Sequence, residues 1–234
     1  MNLNAGEKII AIQQPNYVPW QGFFYKIMKS DVVVLLDGVQ FSKDSIINRN
    51  RIKTSTGEMW LTVPVLTKHE RNQSINETRI NNAVDWRRKH WNAIRQNYVK
   101  SPFFNEYASL LEDIYKNEWE KLAELNTVLI KTMAACLGLE KDFIKASALN
   151  AAGKSTDLLV SICKETGGNV YLSGESGKKY MDDRKFEEAG IKIKYAGFKQ
   201  PVYKQLYGDF IPNLSALDLL FNCGADSRKI LEGA

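Results

Sequence analysis

Histidine and cysteine are scarce in this chain, which has two of the first and three of the second among 234 residues. Any imidazole chemistry near neutral pH must therefore use His69 or His90. Cys136, Cys163 and Cys223 are odd in number, widely spaced and form no Cys-x-x-Cys pair. That pattern argues against a disulfide framework or a structural zinc site and suits a reducing compartment. The spacings His-Glu-x-x-His, Gly-x-Ser-x-Gly and Gly-x-Gly-x-x-Gly are all missing. Zinc-hydrolase, serine-hydrolase and dinucleotide-dehydrogenase readings fall with them, and no metal is expected. No apolar run is long enough to cross a bilayer, and Met1 to Lys8 lacks the apolar stretch of a signal peptide. The expected location is the cytoplasm.

What is present is an ordinary globular composition, 44% hydrophobic and 25% charged, enough for a sizeable core. The 32 basic residues exceed the 27 acidic ones by five, a mild excess that suits anionic small ligands without requiring nucleic acid. With no helix-turn-helix and no strongly basic face, no nucleic-acid partner is expected. Homo-oligomerisation stays open.

The pattern of apolar residues predicts an α/β fold, a mostly parallel sheet of βα units with an inserted helical segment. Ile9 to Ile12 reads as a strand, Gln13 to Gly22 as a loop and Phe23 to Lys29 as a helix. Val32-Val33-Val34-Leu35-Leu36 then reads as a strand covered on both faces. Gln40 to Lys53 is polar, and Glu58 to Val65 alternates as a strand with Pro64 near its end. Lys68 to Asn82, which includes His69, reads as surface loop. Helices are predicted near 84–99, 103–116 and 118–137, forming a helical subdomain around 84–138 within a single domain. After Gly153 the βα rhythm resumes, with Ser155 as a helix cap, strands at Val170 to Leu172 and Ile191 to Tyr195, and a last helix from Ala216 to Asn222.

Several polar groups fall at predicted strand ends, where open α/β sheets bind ligands. In the first loop, Gln14, Asn16 and Gln21 offer donors and acceptors, and Tyr17 and Trp20 offer stacking faces for a base or sugar. A packed loop with core aromatics would use the same residues. Asp37, with Gln40 close behind, stands at the end of the second strand. Asn48-Arg49-Asn50-Arg51 follows, with Arg49 and Arg51 on one face of an extended segment, suited to phosphate or carboxylate. A solvated basic loop is the plainer reading of that cluster. His90 lies on the stripe of its helix with Arg87 and Ile94, and nearby cations are expected to depress its pKa toward a neutral base. A buried structural histidine fits as well. Ser173 and Gly174 open a Gly/Lys-rich loop that lacks the spacing of a Walker P-loop. Asp218, three residues after Ser215, reads as a helix-start capping residue, and Cys223 as either an inert buried thiol or an acyl-accepting nucleophile.

Taken together, Ala11-Ile12-Gln13-Gln14-Pro15-Asn16-Tyr17-Val18-Pro19-Trp20-Gln21-Gly22-Phe23-Phe24, Asp37-Gly38-Val39-Gln40-Phe41 and Asn48-Arg49-Asn50-Arg51-Ile52 resemble the WbqC-like family. The likeness continues through Trp60 to Pro64, Trp86 to His90, Tyr171 to Gly174 and Phe210 to Ser215 with Asp218-Leu219-Leu220, so it covers nearly the whole chain. Many relatives carry histidine just before the Gln-Pro pair, where this chain has Gln13. The resemblance implies a place in surface-polysaccharide (O-antigen) biosynthesis and transfer of an acyl or aminoacyl group, glycine among them, to a nucleotide-linked amino sugar. His90 and Asp37 would then be catalytic, and Gln14, Asn16, Tyr17, Trp20, Gln40, Asn48, Arg49, Asn50, Arg51, Ser173 and Gly174 would bind substrate. An acyl-CoA or an activated amino acid would serve as donor. The alternatives are a non-catalytic nucleotide-sugar or partner-binding protein and an ATP-dependent ligase that activates a carboxylate.

Overall fold

The protein is described from a computed structural model that covers residues 6–66 and 73–234. The loop reading of His69 lies outside those residues. Two compact units share the chain. The first takes the stretch through Gln14, then Tyr25–Asp37 and Lys141–Lys199; the second takes Pro15–Phe24, Gly38–Glu140 and Gln200–Ala234.

The first unit is built on β1 (Ile9–Gln13), β2 (Val32–Leu35), β5 (Asp142–Lys145), β6 (Val170–Ser173) and β7 (Lys192–Tyr195), ordered β5-β2-β1-β6-β7 and all parallel. The unbroken apolar runs of β1, β2 and β6 are buried, as both faces of a parallel sheet require. β5 has only Phe143 and Ile144 as apolar residues and lies at the sheet's edge, so its pattern is too short to read from sequence. α5 (Thr156–Glu165) and α6 (Asp183–Glu188) carry Ile162, Cys163 and Phe186 into a core with Ile10, Ile12, Val34 and Tyr171. The α5–β6 turn needs its glycine: a Cβ on Gly168 would lie 2.1 Å from Cγ1 of Ile10, so only a bare backbone passes there. Ser155 does not cap α5. It sits at φ +50° with no side-chain bond to the helix, and the Oγ1 of Thr156 accepts instead from the amide of Asp182.

In the second unit, β3 (Arg49–Thr54) and β4 (Gly57–Thr62) form an antiparallel ribbon. β3 looks polar in sequence because its outward residues include Arg49 and Arg51. The strand forms because Asn50 and Ile52 alternate with them and are buried. The helices are α2 (Trp86–Tyr98), α3 (Phe104–Lys116), α4 (Leu122–Cys136), α7 (Ala216–Cys223) and α8 (Asp226–Glu232). α2 buries Trp86, His90, Ile94 and Tyr98, each four residues from the next, a narrow stripe along one face. Tyr98 and Phe104 both pack on Phe221 of α7, with ring centroids 5.1 Å apart in each case. α4 starts four residues later than its apolar pattern suggests, because Glu120 and Leu122 are first used in backbone bonds to Ile80 and Thr78. α1 (Gln21–Met28) carries the chain back into the first unit.

Candidate functional site

Renumbered along the sheet alone, the strands of the first unit run 3-2-1-4-5, the order of a doubly wound nucleotide-binding sheet. The order reverses between β1 and β6. At such a switch point the two connections leave in opposite directions and open a crevice beyond the carboxyl ends of the strands. Continuing the β1–β6 register past Ala11 and Leu172 brings Gln13 beside Gly174, so Gln14 and Gly174 both leave the sheet at this point. A Cβ on Gly174 would meet nothing within 4 Å, which marks open space over that backbone. Ser173 itself is buried.

Asp37 follows β2 by two residues on the same edge, but its carboxylate is engaged. Oδ1 accepts from the amide of Ser147 at 2.9 Å and Oδ2 from its hydroxyl at 2.7 Å, which ties the end of β5 to the end of β2. Lys26, a residue the sequence did not single out, lies in the same unit. Its buried ammonium donates to the carbonyl of Ile12 at 2.8 Å and stands 5.7 Å from the centroid of the Tyr171 ring. Burial lowers its pKa to about 7.

The second unit holds the rest of the first loop. Asn126 donates from one amide nitrogen to the carbonyls of Pro15 and Ile47, at 2.8 and 2.7 Å. Asn50 donates to the carbonyl of Val18 at 2.8 Å, and the amide of Ala216 donates to Pro19. Between these ties Val18 adopts φ +35°, a strained setting for a β-branched residue that persists only when its surroundings impose it. Tyr17 is wholly buried, so it offers no stacking face. Its hydroxyl lies 2.8 Å from Nδ1 of His90 and 2.5 Å from the hydroxyl of Tyr115. The His90 ring also bonds the backbone of Thr62. Burial, not neighbouring cations, lowers its pKa to about 4, so the imidazole is neutral at pH 7 and occupied on the Tyr17 side.

Asn48 and Asn50 likewise turn their amide nitrogens to backbone carbonyls, Val63 and Val18. Gln40 is exposed, in a bridge with Ser74. The buried amide oxygens of Asn16, Gln21, Asn48 and Asn126 have no hydrogen-bond partner among the described residues. For Asn48 and Asn126 a flip is ruled out, because the NH₂ groups already serve carbonyls. On the outer side of the ribbon, Arg49 and Arg51 lie over Trp60, with guanidinium carbons 4.5 and 5.5 Å from the indole centroid. Trp20, half-buried, bridges to Ser215.

A model of the WbqC-like protein family matches residues 14–230. The chain belongs to that family. It is also 39% identical over 228 residues, 96% of this chain and 97% of the other, to "Uncharacterized protein Rv1507c" of Mycobacterium tuberculosis (strain ATCC 25618 / H37Rv). No solved structure matches. The stretch shared with the WbqC-like family takes in every residue picked out above as a candidate from Gln14 to Gly174.

It also takes in a buried network that joins Gln21 and Asp218, read separately in the sequence, to Tyr98, Tyr203, Gln205 and Lys53. Asp218 does not cap α7, a task left to the Ser215 hydroxyl, which accepts from the amide of Leu217. Its carboxylate instead accepts from the hydroxyls of Tyr98 and Tyr203, both at 2.9 Å, and burial pushes its pKa up. Gln21 donates to Tyr203, and the buried ammonium of Lys53 donates to Gln205 Oε1 and the carbonyl of Asp209. Only tertiary contact makes these residues a set, so spacing carried no signal for them. Burial raises the Cys223 thiol to about 11, which keeps it protonated and unreactive at pH 7. Among the described residues no cluster of three or more His, Cys, Asp or Glu is placed to hold a metal, and no helix is long and apolar enough to cross a membrane.

Proposed function

We propose that this WbqC-like protein binds a nucleotide-linked amino sugar and transfers an acyl or aminoacyl group, glycine among the options, to its amine during surface-polysaccharide (O-antigen) biosynthesis in the cytoplasm. The observation that carries the nucleotide half is the strand order, with Gln14 and Gly174 leaving the sheet where that order reverses. The acyl half rests on kinship. In the reaction the amine attacks the acyl carbon, the bond to the thiolate of an acyl-CoA or to the nucleotide of an activated amino acid breaks, and the proton lost by the amine passes to that leaving group. Arg49 and Arg51 hold phosphate or carboxylate in this reading. For His90 to act as the base, its bond to Tyr17 must first open.

A second reading is a non-catalytic binder, favoured by how fully the acid–base groups are engaged: Asp37 by Ser147, His90 by Tyr17 and Thr62. An ATP-dependent ligase also fits a strand, a Pro15-x-x-x-Pro19-x-x-Gly22 loop and a helix that open at a nucleotide-type switch point. A thermal-shift panel of nucleotide sugars, acyl-CoA thioesters and ATP with amino acids, followed by single-turnover assays, separates the three. Stabilisation by an amino-sugar nucleotide with N-acylated product supports the transferase. Stabilisation without product makes the protein a binder, and ATP-dependent pyrophosphate release makes it a ligase. A turnover loss in His90→Ala that Tyr17→Phe does not share would restore His90 as the base.

A further inference from the structure

We propose that the outer face of the β3–β4 ribbon is a binding site for a small ring compound bearing one phosphate or carboxylate, with Arg49 gripping the anion and Trp60 lying against the ring. Trp60 is 46% exposed, the only one of the five tryptophans that stands out in solvent. An indole left in water at the centre of a ribbon is an unused apolar surface, and here it is flanked by two cations. Arg51 is directly opposite Trp60 in the ribbon's register, and Arg49 is the next outward residue along β3.

The two arginines differ in what balances them. Arg51 is held by Glu58 at 2.6 Å and donates at 3.5 Å to the carbonyl of Asn213. Among the described residues Arg49 has only Asp44, at 4.0 Å, and that carboxylate's side chain is 57% exposed, so the pair is solvent-screened and weak. Within those residues the face therefore carries one positive charge without a close counter-ion. The Arg49 guanidinium lies over the indole with its carbon 4.5 Å from the ring centroid, and a guanidinium held against an aromatic face can still offer its in-plane N–H groups to an anion. That cation–π contact restrains the guanidinium before any ligand arrives, which lowers the ordering cost of binding. A neutral ring would meet Trp60 and leave the fork unanswered, and a bare anion would meet the fork and leave the indole wet. A ring that carries its own negative charge satisfies both. The site deepens the anion-holding role that the acyl-transfer reading gives Arg49, yet it needs no reaction and no nucleotide of its own.

Titration of ¹⁵N-labelled protein tests it through the five tryptophan indole signals, with Trp60 assigned from Trp60→Phe. The probes are glucose 1-phosphate, glucuronate, uridine monophosphate, glucose and inorganic phosphate. The expected result is a saturable shift of the Trp60 signal with at least one of the three ringed anions, weakened roughly tenfold or more in Arg49→Gln, the loss expected for one charge-assisted contact. Which of them binds tightest tells a sugar ring from a base. Three results would overturn the proposal: a Trp60 signal unmoved by every probe, an equal response in Arg49→Gln, or inorganic phosphate binding as tightly as the ringed anions. A failure of acyl transfer in turnover assays would leave the Trp60 shift intact, so the two ideas fail separately. Both altered side chains are partly exposed, so the variants keep the fold, and an unchanged pattern of the other four indole signals verifies that.

Discussion

His90 shows how one buried side chain can link pH to stability. Its pKa is about 4 in the folded protein against an ordinary value of 6.5, so the unfolded chain takes up the proton more readily. The stabilisation is complete above pH 6.5 and is lost as pH falls toward 4. The whole effect is worth roughly 3.5 kcal/mol at most, since each tenfold difference in proton affinity between the two states corresponds to about 1.4 kcal/mol. Urea titrations at intervals across that range should show a steeper loss of stability toward low pH than in His90→Gln; equal slopes in the two proteins would mean that the ring is not shielded from water. Tyr17→Phe, which removes the hydroxyl between His90 and Tyr115, should cost about 1–2 kcal/mol at pH 7 in the same experiment, the usual loss for a buried hydrogen bond. The sequence pattern places His90 on the right helix and stripe. It points to the wrong cause for the low pKa, since Arg88 and Lys89 are both left exposed by the fold. Which face of a helix is buried can be read from its periodicity, but what it is buried against depends on contacts such as Tyr17, 73 residues away.

At the scale of an element, the Pro15–Gly22 loop is held by residues remote from it in sequence. Asn126 is the strongest single tie, because one NH₂ serves two carbonyls in a buried setting. Asn126→Leu keeps the volume and leaves both carbonyls buried without that donor. It should lower the stability of the protein by roughly 2–4 kcal/mol and shift its thermal midpoint down, with one to two unmet groups at about 1–3 kcal/mol each. An unchanged midpoint would mean that water replaces the amide without loss. The loop is visible in the sequence through its prolines and its place after an apolar strand. Its interior is not, since Asn48, Asn50 and Asn126 read equally well as ligand groups or as backbone ties. The structure makes Asn50 and Asn126 ties, and among the described residues the buried amide oxygens of Asn48 and Asn126 meet no donor. β3 escapes notice for a related reason: a strand with cations on its outer side has no apolar run to announce it.

Across the molecule, elements with strong apolar runs are legible and those defined by long-range pairing are not. β1, β2 and β6 can each be read alone. Their order cannot, because β1 pairs with a strand some 160 residues further on, Ile9 against Val170, and that pairing creates the switch point on which the nucleotide reading depends. The buried hydroxyls of both units have one more consequence, an optical one. Tyr17, Tyr98, Tyr115, Tyr171 and Tyr203 all have pKa values raised above the ordinary 10 by burial. These five of the chain's ten tyrosines should stay protonated in alkaline solution for as long as the fold holds. A spectrophotometric titration should therefore register their phenolates as one late, abrupt step that coincides with the loss of circular dichroism. A smooth rise from all ten with the dichroism intact would mean that the interior admits hydroxide. The phenols thus give the protein a built-in indicator of its own unfolding.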